Sequence, residues 1–212
     1  MDHTFGYATV SNFDNTTTMA GVAATETTNV FVYGTLKRGF PNYALYLGPA
    51  VDLKKATFLG DGITCTPYPL VVGGDRFVPF LLSVPGEGVP IAGEVYAVDA
   101  STLEALDILE GISSGYYKRV AIPVRIGSDV VDNCVVYMRI VGQDGDDDPL
   151  LQLERVPSYT KDAAQHYLSR TKLPNVAILA LIHGLDAPRQ LRVQAKLEAG
   201  ESLPDALRTS LL

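Results

Sequence analysis

Cysteine, histidine and basic charge are scarce in this chain, and each scarcity excludes something. The two cysteines, Cys65 and Cys134, lie far apart. Such a pair is no disulfide framework and lacks the close spacing of a zinc site. Both are expected as buried or partly buried free thiols in a reducing compartment. The three histidines, His3, His166 and His183, are scattered, and none follows a cysteine at useful spacing. Neither a Cys-His nucleophile nor a metal centre is expected. Lys and Arg total 17 against 24 Asp and Glu, a net charge of −7. That balance argues against nucleic acid or an anionic membrane as the main partner, since both call for clustered basic residues. The longest apolar run, Val176–Ile182, falls far short of the ~20 residues of a membrane-spanning helix. Met1–Asn29 holds no Lys or Arg and no continuous apolar stretch. No export signal is read there, and the expected compartment is cytoplasmic. The sequon Asn15-Thr16-Thr17 is accordingly given no weight. The acidic run Asp144–Asp148 is not a calcium loop. Counted from Asp144, Pro149 stands where the loop needs Gly and Arg155 where it needs the bidentate Glu.

What is present describes a soluble globular protein, with 47% hydrophobic and 19% charged residues in 212. That length suffices for one large core or two small ones. The chain is organised around Val30–Asn42, VFVYGTLKRGFPN. A β-branched and aromatic run stops at Gly34-Thr35, which reads as a buried strand delivering a glycine turn. Gly34 lets the backbone approach a small ligand, and successive N–H groups of such a turn can cradle an anion. An ordinary strand and loop would look the same locally.

Residues 1–28, rich in Thr, Ala and Asn, read as a flexible lead-in with a short strand near Phe5–Val10. Strands are expected at Asn29–Tyr33, Lys54–Ile63, Leu70–Val72, Phe77–Val84, Pro90–Val98, Tyr116–Ile126 and Asn133–Ile140, with Gly127-Ser128-Asp129 joining the last two. Asn42–Leu47 reads as one or two helical turns. Ser101–Glu110 is the clearest helix, with Ser101 and Glu104 as a capping box and Gly111 as its C-terminal cap. After Leu150 the pattern turns helical: Ser158–Arg170, capped by Ser158 or Thr160; Asn175–Leu185, as helix or strand; Pro188–Ala199; and Ser202–Leu211. The expected fold class is α+β, a small, mostly antiparallel β-barrel with flanking helices and a helical C-terminal extension. The expected units are a lead-in 1–28, a barrel domain 29–142 and an extension 143–212 packed on the barrel.

Glu110 lies seven residues after Leu103 and four after Leu106, on the apolar face of its helix. Burial and the negative helix end both disfavour its ionised form, so its pKa is expected to rise. Such a carboxyl suits general acid/base work near neutral pH. A hydrated Glu at a frayed helix end is the alternative.

VYGTLKRG-x-PN, PYPLV at Pro67–Val71, GEVYAVD at Gly93–Asp99, LDILEG at Leu106–Gly111 and YYKR at Tyr116–Arg119 occur in this order. Together they resemble the γ-glutamylcyclotransferase-like family, closest to its γ-glutamylamine cyclotransferase branch, over about Asn29 to Ile140. The resemblance implies a barrel fold and an amine-releasing lyase that cyclises γ-glutamyl amines to 5-oxoproline without a cofactor. It makes Glu110 the catalytic acid/base and makes Tyr33, Gly34, Thr35 and Leu36 a substrate-binding loop, with backbone groups of Gly34, Thr35 and Leu36 offered to the glutamyl moiety. The implied partner is a small-molecule γ-glutamyl substrate such as ε-(γ-glutamyl)lysine. γ-Glutamyl amino acids or glutathione-derived peptides are the nearest alternative, and a non-catalytic binder or protein-interaction module the next. Tyr117 and Arg119 share a strand face and are candidate substrate-binding residues, with core packing and a surface ion pair as the other readings. Glu94 is either a second carboxyl in the cavity or an ion-pair partner at its rim. Lys37, Tyr68 and Tyr137 complete the supporting candidates.

Overall fold

The strands β1 (Thr28–Val32), β2 (Ala56–Thr64), β3 (Leu70–Gly73), β4 (Val78–Leu81), β5 (Ala92–Val98), β6 (Lys118–Ile126) and β7 (Asp129–Met138) carry the fold in the computed structural model of the protein. It describes residues 26–141, 148–169 and 172–211. The expected strand Phe5–Val10, most of the acidic run Asp144–Asp148 and Arg170 lie outside those residues. Five strands close into a barrel in the order β1-β5-β2-β6-β7, while β3 and β4 form a separate hairpin. All neighbouring barrel strands run antiparallel except at the closure, where β1 meets β7 in parallel with Val30 opposite Val135. The barrel is therefore mixed, and its fold class is α+β as the sequence implies.

Alternate residues of β1 serve two cores, so its burial does not alternate. Phe31 joins Val95, Ile122, Val124 and Cys134 from the other barrel strands. Val30 and Val32 pack with Leu106, Ile178 and Ile182 beneath the helices. The α-helices among the described residues are α1 (Gly48–Asp52), α2 (Ala100–Glu110), α3 (Lys161–Gln165), α4 (Val176–His183), α5 (Ala187–Glu198) and α6 (Leu203–Ser210), and a π-helical turn, Tyr43–Leu47, runs into α1.

Several expectations are corrected. The cap of α2 is Asp99, whose carboxylate accepts from the Thr102 N–H at 2.7 Å. Ser101 does not cap; its hydroxyl donates to Asp99. A carboxylate two residues earlier in the extended chain outcompetes the hydroxyl for the same helix end. Gly111 does close the helix, at φ 69°. The helix expected over Ser158–Arg170 is only the five-residue α3, capped by Thr160. Beyond it the chain pairs with other segments: Leu168 N–H donates to the Arg76 carbonyl at 3.1 Å. The hairpin β6–β7 turns on two residues, Gly127-Ser128, with Ile126 opposite Asp129. The tight turn releases Asp129 into β7. Phe77 stands in the β3–β4 turn at φ 52°, which shortens the strand expected from there.

The extension shares the barrel's cores. Val156 N–H donates to the Leu70 carbonyl at 2.8 Å, and Tyr159 is buried beside the barrel strands. Ile178 and Ile182 of α4 pack with Leu106 of α2. Lys55 ties the same helix down through the Leu181 carbonyl at 2.9 Å. Among the described residues no helix is long and apolar enough to cross a membrane.

Candidate functional site

At the end of β1 the chain turns sharply. The Lys37, Phe40 and Asn42 N–H groups donate to the carbonyls of Gly34, Lys37 and Thr35 at 3.0–3.2 Å, winding Gly34–Asn42 into consecutive turns. The glycine has a packing reason. A Cβ at Gly34 would stand 2.7 Å from Cγ of Pro79 on β4, well inside contact distance. Asn42, 7% exposed, donates through its side chain to the Thr35 hydroxyl at 3.0 Å.

A cavity of about 210 Å³ opens beside this turn. Tyr33, Gly34, Thr35 and Leu36 line it on one side, and Ile108, Leu109 and Glu110 of α2 on another. Tyr117 and Tyr137 supply further wall, as do Val78 and Pro79. Leu106, one helical turn before Glu110, is buried, so the inward face of α2 leads its last carboxylate to the cavity. Glu110 is half-buried and is the only Asp, Glu, Lys, Arg or His in the lining among the described residues.

The phenols around it are held neutral. Tyr33 donates to the Tyr137 carbonyl at 2.9 Å and accepts from the Leu81 N–H at 3.2 Å. Burial first, and the Glu110 carboxylate second, push its ionisation well above the ordinary tyrosine range. Tyr137 is raised by burial, then by Asp107, and also by Glu110. Its hydroxyl donates to Asp107 at 2.9 Å, and Tyr117 donates to the Pro79 carbonyl at 3.0 Å. These walls are fixed by hydrogen bonds to backbone and to α2.

The other sequence candidates lie elsewhere. Arg119 does not line the cavity; its guanidinium forks onto Asp107, one turn before Glu110 on α2. It thus braces the helix from its outer side. Glu94 also stands away from the cavity. It accepts from the Arg38 N–H at 3.0 Å and from the Tyr96 hydroxyl at 2.7 Å, in ion-pair contact with Arg38. Lys37 donates to the Tyr159 carbonyl at 2.9 Å with its ammonium over the Phe40 ring. Tyr68 lines a smaller pocket with Arg155 and Val156. Cys134 is buried, and burial pushes its thiol up to about 11. Cys65, expected to be at least partly buried, is exposed where β2 has left the ladder.

Several residues that line the cavity or hold its walls received no role from sequence. Asn42 and Asp107 sit inside the quoted motifs, in VYGTLKRG-x-PN and LDILEG. Asp107 is one helical turn from Glu110, a spacing that marks it as a neighbour. Tyr46 lines the cavity from the π-helical turn. Tyr167, Leu168, Ser169, Asn175 and Ile178 reach the cavity from the extension, where no motif pointed to them.

A family model described as "Gamma-glutamyl cyclotransferase, AIG2-like" matches residues 30–155. A "Gamma-glutamylaminecyclotransferase" of Rattus norvegicus is 47% identical over 98 residues, 46% of this chain and 64% of that protein. Its namesake of Homo sapiens is 44% identical over 100 residues, 47% of this chain and 63% of that protein. The chain thus spans just under two thirds of the length of these relatives. The crystal structure of an AIG2-like protein from Mus musculus superposes with a TM-score of 0.58 at 34% identity, covering 69% of this chain and 99% of that one.

Proposed function

This chain belongs to the γ-glutamyl cyclotransferase, AIG2-like family, and from that premise we propose that it converts γ-glutamyl amines to 5-oxoproline and the free amine. The substrate carries its own nucleophile. Its α-amine attacks the γ-carbonyl carbon, closing a five-membered lactam, and the bond from that carbon to the leaving nitrogen breaks. Folding the glutamyl chain into an attack geometry supplies much of the acceleration. What remains is two protons: the α-ammonium sheds one to become the nucleophile and a second once the new C–N bond has formed, and the departing nitrogen takes up two to leave as an ammonium. Glu110 accepts each from the attacking nitrogen and passes it to the leaving one in turn. Backbone N–H groups of the Gly34–Leu36 turn meet the glutamyl group and the oxyanion that develops on its carbonyl oxygen.

One observation carries the reading: the half-buried carboxyl of Glu110 is the one ionisable acid or base among the described Asp, Glu, Lys, Arg and His of a cavity whose opposite side is a glycine turn. The neutral phenols of Tyr33 and Tyr137 support it, since neither competes with Glu110 for the proton. The lack of Lys, Arg and His among the described lining residues favours a leaving amine without a carboxylate beside the scissile bond. That weighs against γ-glutamyl amino acids and glutathione-derived peptides. The test is incubation with ε-(γ-glutamyl)lysine and with γ-glutamyl alkylamines, following 5-oxoproline by chromatography beside Glu110→Gln. Turnover by the wild type and its loss in the variant are expected. No 5-oxoproline from any γ-glutamyl amine overturns the reading, and equal rates in both proteins remove Glu110 from it.

A further inference from the structure

The strand of chain from Tyr159 to Ser169, beyond the residues the family model matches, lies across the glycine turn and grips it twice. At one side Lys37 donates to the Tyr159 carbonyl at 2.9 Å. At the other, Asn42 donates to the Tyr167 hydroxyl at 3.2 Å. The strap is itself anchored on the β3–β4 turn. Tyr159 donates to the Phe77 carbonyl at 3.1 Å, and the His166 ring lies 5.1 Å from that of Phe77.

We infer that Tyr167 is a positioning residue that acts through Asn42 to set Thr35 as a hydrogen-bond donor to the substrate's α-carboxylate. The inference rests on the function proposed above. Asn42 has one side-chain amide with two N–H donors, and they are spent on the Thr35 hydroxyl oxygen at 3.0 Å and on Tyr167. A hydroxyl that accepts from Asn42 keeps its own proton to give, and Thr35 lines the cavity. The Asn42 backbone N–H holds the Thr35 carbonyl at 3.0 Å, so the same residue fixes both the backbone and the side chain of position 35. Tyr167 in turn fixes which way the Asn42 amide faces. In a cavity with no cation among its described lining residues, an anionic substrate group depends on such neutral donors. Tyr167 touches no reacting atom in this scheme; its effect passes through two residues.

The experiment is a double-mutant cycle of Tyr167→Phe and Asn42→Ala in the full chain, read in kinetics and in hydrogen exchange. Tyr167→Phe keeps the ring and removes the oxygen. Its KM for ε-(γ-glutamyl)lysine should rise about three- to tenfold, the range of one hydrogen bond, with kcat within about twofold, because the α-carboxylate is held equally in ground and transition states. The double variant should be no worse than Asn42→Ala alone. Effects that multiply, or a Tyr167→Phe enzyme with wild-type KM, overturn the inference. Amide exchange within Gly34–Asn42 supplies a measure independent of turnover. It should quicken about three- to tenfold in Tyr167→Phe while β5 keeps its protection. Unchanged exchange in the turn overturns the relay even where catalysis is intact. If the wild type makes no 5-oxoproline, the proposed function falls, and exchange in the turn still decides whether Tyr167 orders it.

Discussion

Replacing Tyr33 by Phe removes one oxygen from the wall of the cavity, and the structure sets what that costs. The residue is 7% exposed, and its hydroxyl donates to the Tyr137 carbonyl and accepts from the Leu81 N–H. The ring stays, so little cavity forms. Two buried backbone groups lose a partner, at about 1–3 kcal/mol each, and relaxation recovers part of this. A loss of about 2–4 kcal/mol at pH 7 is expected, a large share of the ~5–15 kcal/mol that holds a domain folded. Urea unfolding followed by circular dichroism measures it, with the midpoint lowered and the slope unchanged. The alkaline side adds a second check. Burial, then the Glu110 carboxylate, raises the folded-state pKa of Tyr33 above the ~10 of the unfolded chain. Above pH ~10 the unfolded chain sheds a proton that the native protein keeps, so wild-type stability falls as pH rises. The variant lacks that proton. The gap between the two proteins should therefore narrow by about 1 kcal/mol between pH 8 and pH 11. A cost below about 0.5 kcal/mol at pH 7 refutes the hydrogen-bond reasoning, and a gap independent of pH refutes the electrostatic part.

Glu110→Gln should lower kcat by about 10²–10⁴-fold while leaving KM within a few-fold, since shape and burial are kept; steady-state 5-oxoproline production checks it. Arg119→Ala should cost about 1 kcal/mol or less, because its side chain is 39% exposed, and the cost should shrink in 1 M salt. KM is expected to stay put, since Arg119 braces α2 from outside the cavity; a tenfold rise in KM would show that it meets the substrate instead. Asp99→Ala should cost about 1 kcal/mol through the lost cap of α2. Burial pulls the Asp99 carboxyl upward, but hydrogen bonds from Thr102 and Ser101 and the Lys55 charge outweigh it and hold it below its ordinary value. The charge-dependent part of that stability is present above the unfolded pKa of about 4 and is lost as pH falls through the folded one, so the difference from wild type should shrink in acid.

The legible part of the site was local. Val30–Leu36 announces a buried strand and a glycine turn from composition alone. The spacing of Leu103, Leu106 and Glu110 put the carboxylate on the inward face of α2, where it stands. The capping of that helix was harder to read. Asp99 and Ser101 both offer an oxygen near the same end, and only the backbone path, extended at Asp99 and helical from Ala100, decides between them. Arg119 and Glu94 show a second limit. Each is a charge beside a cavity in the sequence, but their partners, Asp107 and Arg38, are chosen by strand register and by the turn, through contacts 12 and 56 residues away.

By itself the order of residues determined most of the strands, the glycine turn, the α2 face and the acidic overall charge. Those follow from side-chain period, backbone freedom and charge count, all of which act over a few residues or over the whole chain. Tertiary structure alone decided that β1 closes the barrel against β7 in parallel. It also decided that Pro79 fills the space Gly34 leaves, and that a strap more than 120 residues downstream reaches Asn42. Nothing in Tyr167 or its neighbours advertises a cavity wall. A hydrogen bond between residues 42 and 167 exists only once the barrel, the β3–β4 turn and the extension are packed, because none of its partners is held in place until then.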